Sequence, residues 1–124
     1  MKKFILKFDK ILAVFYTLLV GIASLMPPSA IKNVEWMFGW LSDKWIHVIM
    51  YTVLGFLWAL ALRKSKYPFL LPMIIVISFG IILELFQFQF ILGRYFEMFD
   101  IIANITGCII GIGLFYLFIN KAKE

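Results

Sequence analysis

The chain has 124 residues, of which 64% are hydrophobic, and its mean hydropathy is +0.98. A soluble domain averages roughly 45–50% apolar residues. The composition therefore excludes an ordinary soluble enzyme and indicates a polytopic membrane protein, with one transmembrane domain over residues 1–124. The net charge is +5, but the basic residues lie at the ends of apolar runs, which favours orientation in a membrane over nucleic-acid binding. The single cysteine, Cys108, excludes an intramolecular disulfide.

The first apolar run, from Ile11 to Met26, follows a basic amino terminus and is about the minimum length for a membrane span. The same features describe a secretory signal peptide, but Pro27-Pro28 is a poor cleavage context, so we predict a retained helix. That helix ends at the prolines, because proline lacks an N–H and restricts the preceding residue. Residues 29–42 are too polar to span but contain two tryptophans. We predict a short re-entrant or interfacial segment there, which serves as a lid or, more simply, as an aromatic anchor.

Three further spans follow the first one along the chain. Ser42 is suited to cap the second span, since its hydroxyl can accept from a free N–H of the first turn. Pro68 and Pro72 fall in the first turns of the third span, where proline is tolerated. The predicted bounds are about Asp43 to Leu62, Pro68 to Ile91, and Phe99 or Asp100 to Ile119. The fold class is therefore an all-α membrane protein, a bundle of four transmembrane helices.

Positive charge is distributed unevenly among the connections. Nine of the twelve basic residues lie in the amino terminus, the turn at residues 63–66 and the carboxyl tail. The other two connections carry three basic residues, offset by four acidic ones. By the positive-inside rule, both termini lie in the cytoplasm.

Polar residues recur on one face of three of the predicted spans. A charge at a helix centre costs about 2.5–3.5 kcal/mol on membrane-insertion scales, so these faces are expected to meet one another rather than lipid. Residues three or four apart share a helix face. By span, the polar residues are Asp43, His47 and Tyr51; Glu84 and Gln87; and Asp100 and Asn104. Gly107 and Gly111 continue the polar face of the last span further into the membrane. The two glycines also permit close helix approach. All the polar groups fall toward the outer face of the membrane.

This pattern favours a polar cavity that opens to the outer leaflet. Arg94 and Lys44 supply positive charge suited to phosphate, arginine in bidentate geometry and lysine as a point charge. His47, with its tautomer fixed by Asp43, could move a proton near neutral pH. The candidate acid–base residues are His47, Glu84 and Asp100, and the candidate binding residues are Asp43, Lys44, Tyr51, Gln87, Arg94 and Asn104.

The same residues also admit a structural interpretation. Asp43 and Asp100 complement the helix dipole at a helix start, Lys44 can snorkel to the interface, and Asn104 and Gln87 can bond helices together. The second hypothesis is therefore a non-catalytic membrane scaffold whose polar residues lock helix packing. A proton pathway ranks third, because the cytoplasmic halves of the spans hold few polar residues. A histidine and three carboxylates could hold a divalent metal, but no spacing matches a ligand signature, so no metal or cofactor is predicted.

An ordered set of short motifs extends from about residue 24 to residue 111. The motifs are Ser24-Leu25-Met26-Pro27, Asp43-Lys44-xx-His47-xxx-Tyr51-xx-Leu54-Gly55, Glu84-xx-Gln87, Arg94 and Asp100-xxx-Asn104-xx-Gly107. This set resembles the VanZ-like family of small bacterial membrane proteins, whose naming member is associated with resistance to the glycopeptide teicoplanin. The resemblance implies a multi-pass protein of the bacterial inner (cytoplasmic) membrane. It fits a site that acts on a membrane lipid or a lipid-linked envelope precursor; neither an enzymatic activity nor an oligomeric state follows from it.

Overall fold

The computed structural model describes residues 7–24, 43–90 and 98–120. Within these ranges the chain forms helices joined by turns and contains no strand. The helices are α1 (Asp9–Ser24), α2 (Asp43–Ala61), α3 (Leu70–Phe90) and α4 (Met98–Phe115), and a π-helical segment (Tyr116–Asn120) continues α4. The prediction of an all-helical chain is confirmed for the described residues. The predicted segment at 29–42 and the Ser42 cap lie outside them.

A turn over residues 62–69 connects α2 to α3 and carries the basic residues that we assigned to the cytoplasmic side. Pro68 lies just before α3 and Pro72 lies in its first turn. The backbone N–H of Leu71 donates to the Tyr67 carbonyl over 3.1 Å, so helical hydrogen bonding begins next to the two prolines. Both prolines thus lie at or before the first turn of α3, where proline is tolerated, as we predicted.

Helices α2 and α4 make the closest contact in the bundle. A methyl group built on Gly107 would lie 2.5 Å from the Val48 carbonyl oxygen, and one built on Gly111 would collide with the backbone of Thr52. Both contacts advance in the same direction along the two helices, so α2 and α4 run parallel. The predicted close approach at the two glycines is confirmed, because only hydrogen in place of a side chain fits there.

Helix α1 packs antiparallel to α2 and is joined to it by polar side chains. The Trp58 indole N–H donates to the Thr17 hydroxyl oxygen over 2.9 Å, and that hydroxyl donates to the Ala13 carbonyl over 2.7 Å. The Tyr16 hydroxyl donates to the Met50 carbonyl over 3.2 Å. These bonds satisfy polar groups that would otherwise be costly between apolar helices.

The helices bury a core of aliphatic and aromatic side chains and leave many large apolar side chains exposed. The core includes Leu54, Leu60, Val76, Ile112 and Phe115. Exposed apolar side chains occur on all four helices, and large patches of this kind are uncommon on proteins surrounded by water. One helix, Met98–Phe118, is clearly long and apolar enough to cross a membrane. The described apolar stretches of α2 and α3, Trp45–Ala61 and Leu70–Phe86, are shorter.

Candidate functional site

The imidazole of His47 lies between two polar residues of α4. Its Nδ1 atom is 3.0 Å from Oδ1 of Asn104, and its Nε2 atom is 4.0 Å from Oδ2 of Asp100. The His47 and Asp100 side chains are 18% and 14% exposed, so this part of the cluster can be reached from outside the bundle. Asn104 is 4% exposed and forms the inner side of the contact.

A phenol and a carboxyl lie on the inner side of this contact. Tyr51, one helical turn after His47 in α2, is buried, and Glu84 of α3 is 2% exposed. The Glu84 carboxyl interacts electrostatically with the Tyr51 hydroxyl. Glu84 lies six residues before the end of α3, a depth of about 9 Å at 1.5 Å per residue. A carboxyl group is thus buried well inside the helix bundle.

Gly80 forms the wall of the cluster that α3 contributes. A methyl group built on it would lie 3.1 Å from Nδ2 of Asn104 and 3.2 Å from a ring carbon of Tyr51. A side chain at this position would displace one of those two groups. We did not predict a role for Gly80, although its four-residue spacing from Glu84 places both on one face of α3.

The structure brings five of the nine predicted site residues into one cluster, which we call the polar cluster. Its members are His47, Tyr51, Glu84, Asp100 and Asn104. The side chains of Asp43, Lys44 and Gln87 lie outside the described part of the structure, although their backbones belong to α2 and α3. Arg94 also lies outside it, so the phosphate-binding pair, Arg94 and Lys44, stays a prediction.

The ring nitrogens of His47 have two neighbours in α4. Both nitrogens face residues of that helix, namely Asn104 and Asp100. We expected Asp43, one turn earlier in α2, to fix the tautomer of the imidazole, and its side chain lies outside the described part of the structure, so that role stays a prediction. The spacing within α2 identifies which residues share a face, but it does not reveal which side chains a neighbouring helix brings to that face.

Among the described residues, no three His, Cys, Asp or Glu side chains lie close enough together to hold a metal ion. The polar cluster contains one imidazole and two carboxyls, groups that can form hydrogen bonds and exchange protons.

One known protein family matches most of the chain. The family model VanZ/LLP1 matches residues 5–119, which include every residue of the polar cluster. The chain belongs to the VanZ/LLP1 family. No curated protein and no solved structure gives a significant match to it. Family membership and the apolar helix Met98–Phe118 together suggest a membrane protein.

The VanZ/LLP1 chain carries a second buried polar contact at the opposite end of the bundle. The Asp9 carboxylate, at the start of α1, accepts a hydrogen bond from the Arg63 guanidinium, just after the end of α2. Arg63 also donates to the Leu60 carbonyl over 2.7 Å. We counted both residues only as charges at span ends. The antiparallel order of α1 and α2 could have predicted this contact, because it places the start of α1 and the end of α2 at the same end of the bundle.

Proposed function

We propose that this VanZ/LLP1 protein spans the bacterial inner membrane four times, with both termini in the cytoplasm. In this arrangement the polar cluster lies toward the outer leaflet. There it binds, and possesses the groups to process, an anionic, phosphate-bearing, lipid-linked component of the cell envelope. The distribution of basic residues supports the orientation, and the exposed apolar side chains on all four described helices support the four spans.

The observation that carries the proposal is the convergence of ionisable groups from three helices. His47 of α2 contacts Asn104 of α4, and Glu84 of α3 is 2% exposed beside Tyr51. Intramembrane ionisable residues are costly and typically mark a ligand or proton site. Apolar side chains of similar size would pack the helices at least as well, so packing alone does not account for these groups.

The phosphate would be held by residues at the edge of the polar cluster. Arg94 belongs to the connection between the end of α3 and the start of α4, and both of those helix ends bear cluster residues. Lys44 precedes His47 by three residues in α2. His47, Glu84 and Asp100 would exchange protons with the bound component, while Tyr51, Asn104, Asp43 and Gln87 would hydrogen-bond it. A link to glycopeptide resistance would follow if that component is a cell-wall precursor.

The test is thermal unfolding of the purified chain in detergent, with a polyprenyl phosphate or the matching unphosphorylated polyprenol added. A ligand present at 100 times its Kd stabilises the folded state by about 2.7 kcal/mol. We expect the phosphate to raise Tm and the alcohol to leave it unchanged. Arg94→Ala should abolish the effect, whereas Lys64→Ala, a basic residue in the turn at the opposite end, should retain it. An equal response to both lipids, or to neither, contradicts the proposal.

A non-catalytic scaffold is the second candidate, and the His47–Asn104 contact favours it as well, because that contact joins two helices. His47→Ala separates the two functions. A scaffold predicts that the variant has a lower Tm without any lipid, since the lock between the helices is lost. A ligand site predicts a Tm close to wild type in the absence of lipid, together with a weaker response to the polyprenyl phosphate.

A further inference from the structure

We infer that Asn104 is a positioning residue that holds the neutral imidazole of His47 in the tautomer with hydrogen on Nδ1. Nε2 is then the atom that accepts a proton. The role of Nε2 as the acceptor of a proton from the bound component rests on the proposed function. The tautomer itself, however, is a property of the protein without lipid.

The orientation of the Asn104 amide follows from what lies on each side of it. Its Nδ2 group points toward α3, where a methyl group built on Gly80 would lie 3.1 Å from Nδ2 and 3.4 Å from the Tyr51 hydroxyl oxygen. Glu84 follows one turn later on the same helix face. That side holds hydroxyl and carboxyl oxygens, which suit an N–H donor. Oδ1 consequently faces His47, at 3.0 Å from Nδ1.

An amide oxygen can only accept a hydrogen bond, so the neutral imidazole must present N–H to it. This requirement places the hydrogen on Nδ1 and leaves the lone pair on Nε2. Asn104 is 4% exposed and packed against Gly80, so the amide cannot rotate freely to offer its NH₂ group instead. The packing of α3 against α4 therefore determines which nitrogen of His47 is basic.

Nε2 faces the more exposed of the two α4 residues, because the Asp100 side chain is 14% exposed and Asn104 is 4% exposed. Asp100 precedes Asn104 by one turn and is closer to the start of α4. The distance of 4.0 Å from Nε2 to Oδ2 is too long for a hydrogen bond. When Nε2 takes a proton from a bound hydroxyl or phosphate group, the new imidazolium charge lies beside the Asp100 carboxyl. This is the arrangement in which an oriented imidazole acts as a general base.

Nitrogen-15 NMR of the full-length chain tests the inference directly, because His47 is the only histidine and its two ring nitrogens give unambiguous signals. The protein is labelled at histidine and recorded in detergent micelles without lipid. The pH is set well above the ordinary histidine pKa of about 6.5 so that the ring is neutral. We expect wild type to show a protonated Nδ1 and an unprotonated Nε2.

Variants of Asn104 show whether this residue sets the tautomer. Asn104→Asp keeps an oxygen acceptor and should retain the wild-type pattern, whereas Asn104→Ala should give signals averaged between the two tautomers. Thr106→Ala, an exposed position of the same helix, is the matched control and should not change the spectrum. A wild-type ring protonated on Nε2 overturns the inference, as does an Asn104→Ala spectrum identical to wild type. Failure of the lipid test with the expected tautomer present overturns the proposed function alone.

Discussion

The two ends of the helix bundle both bury an acidic side chain, but they surround it with different chemistry. At one end Asp9 of α1 is hydrogen-bonded to Arg63, and the two side chains are 12% and 13% exposed. At the other end, Glu84 and Asp100 belong to a cluster with an imidazole, an amide and a phenol from three helices.

The difference lies in what each set of groups can do with a proton. An arginine stays protonated in proteins, so the Asp9–Arg63 pair is a fixed electrostatic contact between two helices. An imidazole changes charge near neutral pH and can pass its proton to a carboxyl. The Asp9–Arg63 pair therefore suits a role in stability, and the polar cluster suits the ligand chemistry that we propose for it.

The largest expected effect on stability comes from Arg63→Ala. The substitution leaves the Asp9 carboxylate enclosed without its cation, and breaking a buried pair in this way costs about 3–5 kcal/mol. Chemical unfolding in detergent should show that loss. The double variant Asp9→Asn, Arg63→Met removes both charges and should recover most of it. A single variant as stable as wild type would show that the pair is not a structural contact.

A smaller loss is expected from Gly111→Ala, which places a methyl group against the backbone of Thr52. Overpacking of this kind costs about 1–3 kcal/mol. Gly113 is the matched control, since a methyl group there meets no atom within 4 Å. Gly113→Ala should be as stable as wild type or slightly more stable, because alanine favours the helix. Equal unfolding midpoints for the two variants would mean that α2 and α4 are not in close contact.

Trp58→Phe should destabilise the chain by about 1 kcal/mol, because it removes one hydrogen bond while keeping an aromatic ring. The bond that is lost joins α2 to the Thr17 hydroxyl of α1. Trp45→Phe is the control, since the Trp45 side chain is exposed. If both variants unfold at the same denaturant concentration, the indole contributes nothing to the attachment of α1.

The smallest effect on stability is expected from Glu84→Gln, which keeps the size of the side chain and replaces the carboxyl with an amide. We expect a change of about 1 kcal/mol or less, since the amide can still form hydrogen bonds at this position. The response of Tm to polyprenyl phosphate should nevertheless fall, because the cluster loses a carboxyl. A large loss of stability with an intact lipid response would reassign Glu84 to helix packing.

Much of this arrangement could be predicted from the spacing of the polar residues and glycines and from the free-energy cost of polar side chains in apolar spans. The rarity of polar side chains in apolar spans indicates that the polar faces meet, and the contact between His47 and Asn104 agrees with that prediction. The glycine spacing likewise predicts the close contact of α2 and α4. Sequence spacing did not reveal Asn104 as the partner of Nδ1, since the rotation of one helix against another depends on packing.

Two further features had weaker signals in the sequence. Asp9 and Arg63 are 54 residues apart, and their pairing follows only once the antiparallel order of α1 and α2 is known. The π-helical segment Tyr116–Asn120 differs from α4 in its hydrogen-bond register. The composition of these five residues does not predict that change.

The proposed function requires the polar cluster to hold a phosphate-bearing, lipid-linked component of the cell envelope. Native mass spectrometry of the chain purified from bacterial membranes tests it most directly. Wild type and Lys64→Ala should each retain a phosphorylated polyprenyl lipid, and Arg94→Ala should lose it. A wild-type protein without that lipid, or an Arg94→Ala variant that retains as much as wild type, would contradict the account.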